Sequence, residues 1–178
     1  MGLVDEAVVV RIYVYDHLKD MGELLSALRT HKWQKTQLRY NIVPPEDRET
    51  KVYKSGNKMT TIKKGVYSQS LKSGILYELI IALAPKRPDG DWRITINKNT
   101  QCYPHQDRGN LGTSYIMFLG DYEGGDLCFE NGRIVSERDK WHEIDGSVTH
   151  WNTPITSGIK YSIILFNKAP SARYGIKN

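Results

Sequence analysis

The chain has 178 residues, of which 39% are hydrophobic and 25% charged, and a formal net charge of +5. This composition excludes a mainly disordered chain, collagen and a coiled coil. The longest apolar runs, Ala7–Val10 and Ile75–Ala84, fall well short of the roughly 20 residues that a membrane span requires, so we expect no contact with membranes.

Residues 1–91 are predicted to form a helical and basic support region. The stretch Ala7–Tyr15 is rich in Val, Ile and Tyr, which predicts a strand. Asp16–Thr30 and Ser70–Ala84 carry apolar residues at helical spacing, which predicts two helices. Between them, the polar and proline-containing stretch Asn41–Gly65 is expected to be a long connection.

The positive charge is concentrated in this region. Residues 29–72 carry eleven basic and three acidic residues, whereas residues 73–178 carry twelve of each. Clustered positive charge indicates a polyanionic partner, and nucleic acid is favoured over a membrane surface because no amphipathic helix accompanies it. The alternative is a solvated, lysine-rich loop.

Residues 92–168 have a different sequence pattern, with short β-rich runs separated by turns that contain Gly, Asn and Asp. This pattern is typical of a sandwich or barrel. Helices followed by strands indicate an α+β fold with the N-terminal helices packed on one face of the sheet, within a single domain over residues 1–178. The predicted strands are Trp92–Asn97, Thr113–Leu119, Asp126–Glu130, Lys140–Ile144, Ser147–Asn152 and Ile159–Asn167.

The run Tyr103-Pro104-His105-Gln106-Asp107 carries the first sign of chemistry. Residues two apart on a strand point to the same face, so His105 and Asp107 would present an imidazole and a carboxylate side by side. A later histidine, His142 or His150, would complete the two-His, one-carboxylate triad of non-haem Fe(II) oxygenases, which leaves three metal positions open.

Lys160 and Ser162 are predicted to share one face of the last strand. A buried ammonium needs a partner, because an unpaired buried charge is costly, and a bound dicarboxylate would supply one. Tyr103 is expected to pack against the protein, although lining a pocket is the alternative.

The order H-x-D, Gly-Gly, Asp-Gly, His, Ser-Gly, Lys and Ser over residues 92–168 resembles the double-stranded β-helix (jelly-roll) dioxygenases that use Fe(II) and 2-oxoglutarate. The resemblance implies that His105, Asp107 and His150 bind iron, and that Lys160 and Ser162 hold the distal carboxylate of 2-oxoglutarate. It selects His150 over His142, because the family's last histidine precedes its basic residue by about ten positions. It also implies dioxygen as a substrate and ascorbate as a reductant in vitro. Most relatives have Arg where this chain has Lys160, which would lose the bidentate contact to the carboxylate.

The segment from Ile96 to Leu127, with His105-Gln106-Asp107-Arg108-Gly109-Asn110 at its centre, is similar to the TET and J-binding-protein group. That group oxidises the C5-methyl of pyrimidines in DNA, so the resemblance implies 5-methylcytosine or thymine as the substrate base. It implies that Asn110 reads the base edge, and a turn asparagine is the alternative. Asn97 is expected to reach 2-oxoglutarate, and the alternative is that it caps the end of a strand. Arg108 is expected to contact a phosphate, and the alternative is a solvated loop arginine.

Two other functions share parts of this pattern. A prolyl or lysyl protein hydroxylase would have the same iron site and would explain Lys160 better, but it would not explain the basic stretch. A jelly-roll binding module that has lost its chemistry is the second rival. Because Asp5 and Glu6 stand where a secretory signal has bases, we expect an intracellular protein, nuclear if it acts in a eukaryotic cell.

Overall fold

The structure is a computed structural model that describes residues 19–33, 39–42, 50–55, 58–63 and 74–169. The predicted strand Ala7–Tyr15 lies outside these residues. The chain forms two compact units, one of Met1–Gln34 and Ile42–Pro85 and the other of Lys35–Asn41 and Lys86–Asn178. The single-domain organisation therefore stays a prediction.

The first unit contains both predicted helices. Helix α1 covers residues 19–30 and α2 covers Gly74–Leu83. Trp33 donates its indole N–H to the Leu28 carbonyl at 2.9 Å and so satisfies one of the free carbonyls at the end of α1. Each helix buries an apolar stripe, formed by Met21, Leu24 and Leu28 in α1 and by Leu76, Ile80 and Leu83 in α2. Neither helix in the described ranges is long and apolar enough to cross a membrane.

The predicted connection Asn41–Gly65 is wrong in its central part, which forms a β-hairpin. Strand β2 (Thr50–Ser55) pairs antiparallel with β3 (Lys58–Lys63), from Thr50 opposite Lys63 to Ser55 opposite Lys58. Two residues, Gly56 and Asn57, separate the strands in the sequence. A Gly-Asn pair between two β-rich runs is one of the sequence signals of a β-hairpin, and here it was hidden among lysines that predicted a solvated loop.

The second unit is built on a five-stranded sheet with the order β1-β4-β12-β5-β9. A three-stranded sheet, β10-β7-β8, and a two-stranded ribbon, β11-β6, complete it. The pairs β4–β12, β12–β5, β5–β9, β10–β7, β7–β8 and β11–β6 are all antiparallel. The strands are β1 (Arg39–Ile42), β4 (Trp92–Lys98), β5 (Ser114–Leu119), β6 (Tyr122–Gly124), β7 (Leu127–Phe129), β8 (Ile134–Val135), β9 (Trp141–Ile144), β10 (His150–Asn152), β11 (Ile155–Gly158) and β12 (Tyr161–Asn167).

The two larger sheets share one hydrophobic core. Ile116, Phe118 and Ile144 of the five-stranded sheet cluster with Leu127 and Phe129 of the three-stranded sheet. Such packing of two antiparallel sheets face to face is the architecture of a sandwich. On the opposite face of β12, Tyr161, Ile163 and Leu165 are also buried. The five-stranded sheet is therefore covered on both sides along β12.

All six strands predicted over residues 92–168 are present; five are shorter than predicted, and the first, Trp92–Lys98, is one residue longer. The last one begins at Tyr161, so Ile159 and Lys160 precede it. Sequence analysis missed the short strands β1, β6, β8 and β11.

Substitution of Gly158, at the end of β11, tests how closely the two strands of the β11-β6 ribbon approach each other. Its φ of +79° is one that other residues rarely adopt, and a Cβ there would overlap the Asp121 carbonyl and lie 2.8 Å from the Tyr122 Cα. Gly132 has a similar φ of +87° but nothing within 4 Å of its Cβ position. We expect Gly132→Ala to cost only the conformational term of about 1–2 kcal/mol and Gly158→Ala to cost more than about 3 kcal/mol. Chemical denaturation of the full chain measures both, and equal losses would show that the close approach is absent.

Candidate metal centre

A cavity of about 630 Å³ opens inside the second unit. Its wall comes from β4, β5, β9 and β12 on one side and from β7 and β10 on the other, and the segment 100–110 also lines it. Residues opposite one another on neighbouring strands share a face, and Asn97, Ser162 and Phe118 form such a row. All three line the cavity. The cavity therefore lies on the core side of the five-stranded sheet.

The structure brings His105, Asp107 and His150 together at this cavity. One ligand atom from each of the three lies within 4.8 Å of the others. The Nε2 atoms of His105 and His150 are each 3.7 Å from an oxygen of the Asp107 carboxylate. That separation is too long for a hydrogen bond, so the three groups converge without satisfying one another.

Backbone hydrogen bonds fix this convergence. His105 N donates to His150 O at 3.1 Å, and His150 N donates to His105 O at 3.0 Å. Two residues further on, Asp107 N donates to Gly146 O at 2.7 Å. A Cβ on Gly146 would lie 3.0 Å from the Asp107 Cβ. The absence of a side chain at residue 146 therefore lets the two segments approach closely.

Both imidazoles are oriented by their Nδ1 atoms. His105 Nδ1 lies 2.7 Å from the Tyr103 carbonyl oxygen, and His150 Nδ1 lies 2.8 Å from the Val148 carbonyl oxygen. A carbonyl only accepts, so each Nδ1 carries the proton and each Nε2 keeps a free lone pair. This arrangement is the one that metal-binding histidines use. By contrast, His142 lies outside the cluster and its Nε2 contacts the Glu137 carbonyl oxygen at 2.8 Å.

Lys160 is the buried cation of the cavity. Only 4% of its surface is exposed, and its Nζ donates to the Gly125 carbonyl. The ammonium also lies 4.0 Å from the centre of the Phe118 ring. Among the residues that the structure describes, no carboxylate forms an ion pair with it. Burial lowers the pKa of Lys160 to about 8, opposed by the charges of Asp126 and Cys102, while Arg138 lowers it further.

Asn99 holds the backbone at Lys160. Its side-chain oxygen accepts from Lys160 N at 2.6 Å, and its own N donates to Lys160 O at 2.9 Å. Asn99 adopts a positive φ of 48°, which asparagine tolerates better than most residues. Sequence analysis gave Asn99 no such role, because its contact with residue 160 depends on the β4–β12 register.

Polar groups near the lysine include Ser162 and Asn97. The Oδ1 atom of Asn97 is buried without a hydrogen-bond partner in the described residues. Because buried polar atoms are nearly always paired, an unpaired one beside a cavity points to a missing ligand or water. The predicted substrate residues Arg108 and Asn110 also line the cavity. Arg108 Nε donates to Gln106 Oε1 at 3.2 Å, and Asn110 N donates to Asp107 O at 3.1 Å.

Three lining residues were given the wrong role or none. Tyr103 lines the cavity and is 76% exposed, so the expectation that it packs against the protein is wrong. Asn152 accepts from Cys102 N at 2.6 Å through its side chain, and its own N donates to Cys102 O at 3.0 Å. Asn152 lies two residues after His150 and so shares its strand face, but its contact with Cys102 depends on the pairing with a distant segment. Cys102 Sγ lies 3.3 Å from His105 Nδ1. Neither Cys102 nor Cys128 forms a disulfide.

Comparisons with known proteins support the fold. No protein-family model and no curated protein sequence matches the chain. Among solved structures, NgTET1 in complex with 5mC DNA is 14% identical over 83% of this chain and 67% of that one, with a TM-score of 0.55. An oxidoreductase of the 2OG-Fe(II) oxygenase family from Burkholderia pseudomallei is 11% identical over 85% of this chain and 94% of that one, with a TM-score of 0.43.

The overlap with NgTET1 and the described sheets and helices lead to the same conclusion. The predicted α+β jelly-roll is confirmed, and so, at the level of the fold, is the resemblance to the TET group. This chain has the fold of the NgTET1 structure.

Proposed function

We propose that the protein is an Fe(II)- and 2-oxoglutarate-dependent dioxygenase that hydroxylates a C–H bond, specifically the C5-methyl of 5-methylcytosine or thymine in nucleic acid. One observation carries the proposal. A single cavity holds three convergent ligand atoms, from His105, Asp107 and His150, together with the buried ammonium of Lys160.

The residues present fit a ferrous ion. Two imidazoles with free Nε2 lone pairs and one carboxylate make the facial donor set that leaves three positions open. Bound Fe(II), with 2-oxoglutarate and dioxygen, would supply the oxidising power for C–H hydroxylation and release succinate and CO2. The protein's part is to hold the three donors through the carbonyls of Tyr103 and Val148 and the backbone pairing of His105 with His150.

The lysine side of the cavity fits the co-substrate. Lys160 has one carbonyl partner for its three N–H donors. A carboxylate would provide the missing acceptors and offset the cost of the buried charge. Ser162 and Asn97 line the same cavity, where the Ser162 hydroxyl and the Asn97 amide N–H would donate to that carboxylate.

The open side of the cavity fits a base as substrate. Asn110 lies beside Asp107, since both side chains approach the Cβ position of Gly146, at 3.5 Å for Asn110 Nδ2. An amide there would meet the Watson–Crick or major-groove edge of a pyrimidine. Arg108 is exposed next to it and would meet a phosphate. A base in a duplex would have to be flipped out to enter. The NgTET1 structure, a complex with 5mC DNA, supports this substrate class.

Gly146→Ala tests the metal centre without removing a ligand. The added methyl group would press on the Asp107 Cβ at 3.0 Å and displace its carboxylate. We expect the Kd for Fe(II), measured anaerobically by calorimetry, to rise about tenfold, as for other changes that misalign a ligand. Gly132→Ala, which meets nothing within 4 Å, should leave the Kd unchanged. If Asp107→Ala also binds Fe(II) normally, the proposed metal site is wrong.

The pH dependence of 2-oxoglutarate binding tests Lys160. Only its ammonium form attracts a carboxylate, and its pKa is about 8 in the free protein. Binding therefore takes up a proton above that pH, and the affinity should fall by up to about tenfold per pH unit there. Below that pH the lysine is already charged and its contribution should be constant.

Lys160→Arg is the matched control, because arginine stays charged throughout. The ratio of wild-type to Lys160→Arg affinities removes any pH effect of the metal ligands. That ratio should fall as pH rises above 8, and a constant ratio up to about pH 9.5 would contradict the assignment.

A product assay tests the reaction. The protein is incubated with Fe(II), 2-oxoglutarate, ascorbate and DNA that contains thymine and 5-methylcytosine, and nucleosides are analysed by mass spectrometry. We expect one added oxygen on a pyrimidine methyl and none with His150→Gln. Asn110→Asp should shift product toward cytosine by at least about fivefold, because a carboxylate accepts from the cytosine amino group. Added oxygen on prolyl or lysyl peptides, with none on DNA, would instead identify a protein hydroxylase.

A further inference from the structure

We propose that the rim of the cavity, formed by Tyr103, Arg108 and Lys168, binds single-stranded polynucleotide, with the Tyr103 ring stacked on a base and the cations on neighbouring phosphates. The inference rests on the proposed function, because it assumes that substrate enters through this opening. It adds Tyr103 and Lys168 as substrate-binding residues.

The first observation is a charge imbalance. The lining contains four cations, Arg39, Arg108, Lys160 and Lys168, but only one carboxylate, Asp107. In the proposed reaction, the positive charges of Fe(II) and Lys160 balance the negative charges of Asp107 and the 2-oxoglutarate dianion. Of the remaining cations, Arg108 and Lys168 take no part in that balance. A site built only for a neutral substrate would have no use for them, whereas a polyanion would.

The second observation is that Lys168 is held in place. Asn110 and Lys168 form an isolated antiparallel bridge, and Ala169 N donates to Gly109 O at 2.9 Å. The Lys168 ammonium lies 3.1 Å from where a Gly109 Cβ would be. It is therefore next to Arg108 and Asn110 along the rim. No ion pair within the described ranges neutralises Lys168 or Arg108.

The third observation is the exposure of Tyr103. A tyrosine that is 76% exposed while lining a cavity leaves an aromatic face open to solvent. Its backbone is fixed, because its carbonyl accepts from His105 Nδ1 at 2.7 Å. An aromatic platform beside a row of cations is the combination that binds single-stranded nucleic acid, in which bases stack and phosphates are neutralised.

The charge term is tested by fluorescence anisotropy with the full chain and a labelled single-stranded oligonucleotide of about 12 nucleotides. Each phosphate contact contributes about −0.7 to the slope of log affinity against log salt for single strands. Lys168→Gln should therefore weaken binding and make the slope shallower by about 0.7. Lys140→Gln is the matched control, since Lys140 pairs with Glu137 and does not line the cavity, and it should change neither quantity.

The stacking term is tested by two substitutions at one position. Tyr103→Leu should weaken oligonucleotide binding at least about fivefold, whereas Tyr103→Phe, which keeps the ring, should retain most of the affinity. A salt-independent affinity, equal slopes for Lys168→Gln and Lys140→Gln, or equal affinities for the leucine and phenylalanine variants would overturn the inference. Equal competition by polyglutamate would overturn it too, in favour of an acidic protein partner.

Calorimetry of the wild-type protein with Fe(II) and 2-oxoglutarate separates this inference from the proposed function. If both bind while the oligonucleotide results are negative, the rim inference fails and a dioxygenase remains. If 2-oxoglutarate does not bind while the oligonucleotide results are as expected, the rim is a nucleic-acid site and the proposed reaction fails.

Discussion

The pair of backbone hydrogen bonds between His105 and His150 is the constraint on which the candidate site depends. It joins a segment without regular structure to strand β10, and so brings two imidazoles to ring centroids 4.4 Å apart although they are 45 positions apart in the chain. Hydrogen bonds between Asn152 and Cys102 extend the same pairing on one side of the two histidines. The hydrogen bond from Asp107 N to Gly146 O extends it on the other side. A donor set held by backbone atoms does not depend on the rotamers of its neighbours. This rigidity is what a metal site needs if its geometry is to survive the exchange of substrates.

A buried lysine imposes a second constraint, on the strands around it. Lys160 needs an acceptor at a buried position beside the Phe118 ring, and the Gly125 carbonyl supplies it. Gly125 has a φ of +73°, and a Cβ there would lie 2.9 Å from Ile155 Cγ1 and 3.1 Å from Lys160 Cδ. The Gly124-Gly125 turn before β7 therefore leaves room for the aliphatic part of the Lys160 side chain. It also places the Gly125 carbonyl where the Lys160 ammonium can donate to it. Burial still disfavours the charged form of Lys160, and its pKa is therefore below the ordinary value for lysine.

Local patterns in the sequence predict those parts of the structure that depend on nearby residues. Ser114–Leu119 is almost continuously apolar, which predicted a strand over Thr113–Leu119, and the structure buries it at all six positions. His105 and Asp107 were predicted as neighbours on one strand face, whereas the segment that holds them contains only an isolated bridge at His105. Strands of two to four residues, such as Ile134–Val135, carry too few side chains for any periodicity. The roles of Asn99 and Asn152 depend on register, and the exposure of Tyr103 depends on which surfaces the sheets leave uncovered. Neither quantity is encoded within a short window.

Fold and substrate are separate questions for this architecture. A likeness of 14% identity to NgTET1 shows the fold alone, and one fold can carry many different activities. What distinguishes one substrate from another has to lie in side chains that the proposed iron chemistry does not use. In this chain an inner set, which includes the buried His150 and Lys160, would hold iron and 2-oxoglutarate, and an outer set of Arg108, Lys168 and the exposed Tyr103 lines the same cavity. A peptide hydroxylase would need the inner set alone, so the outer set is where a preference for nucleic acid must be sought.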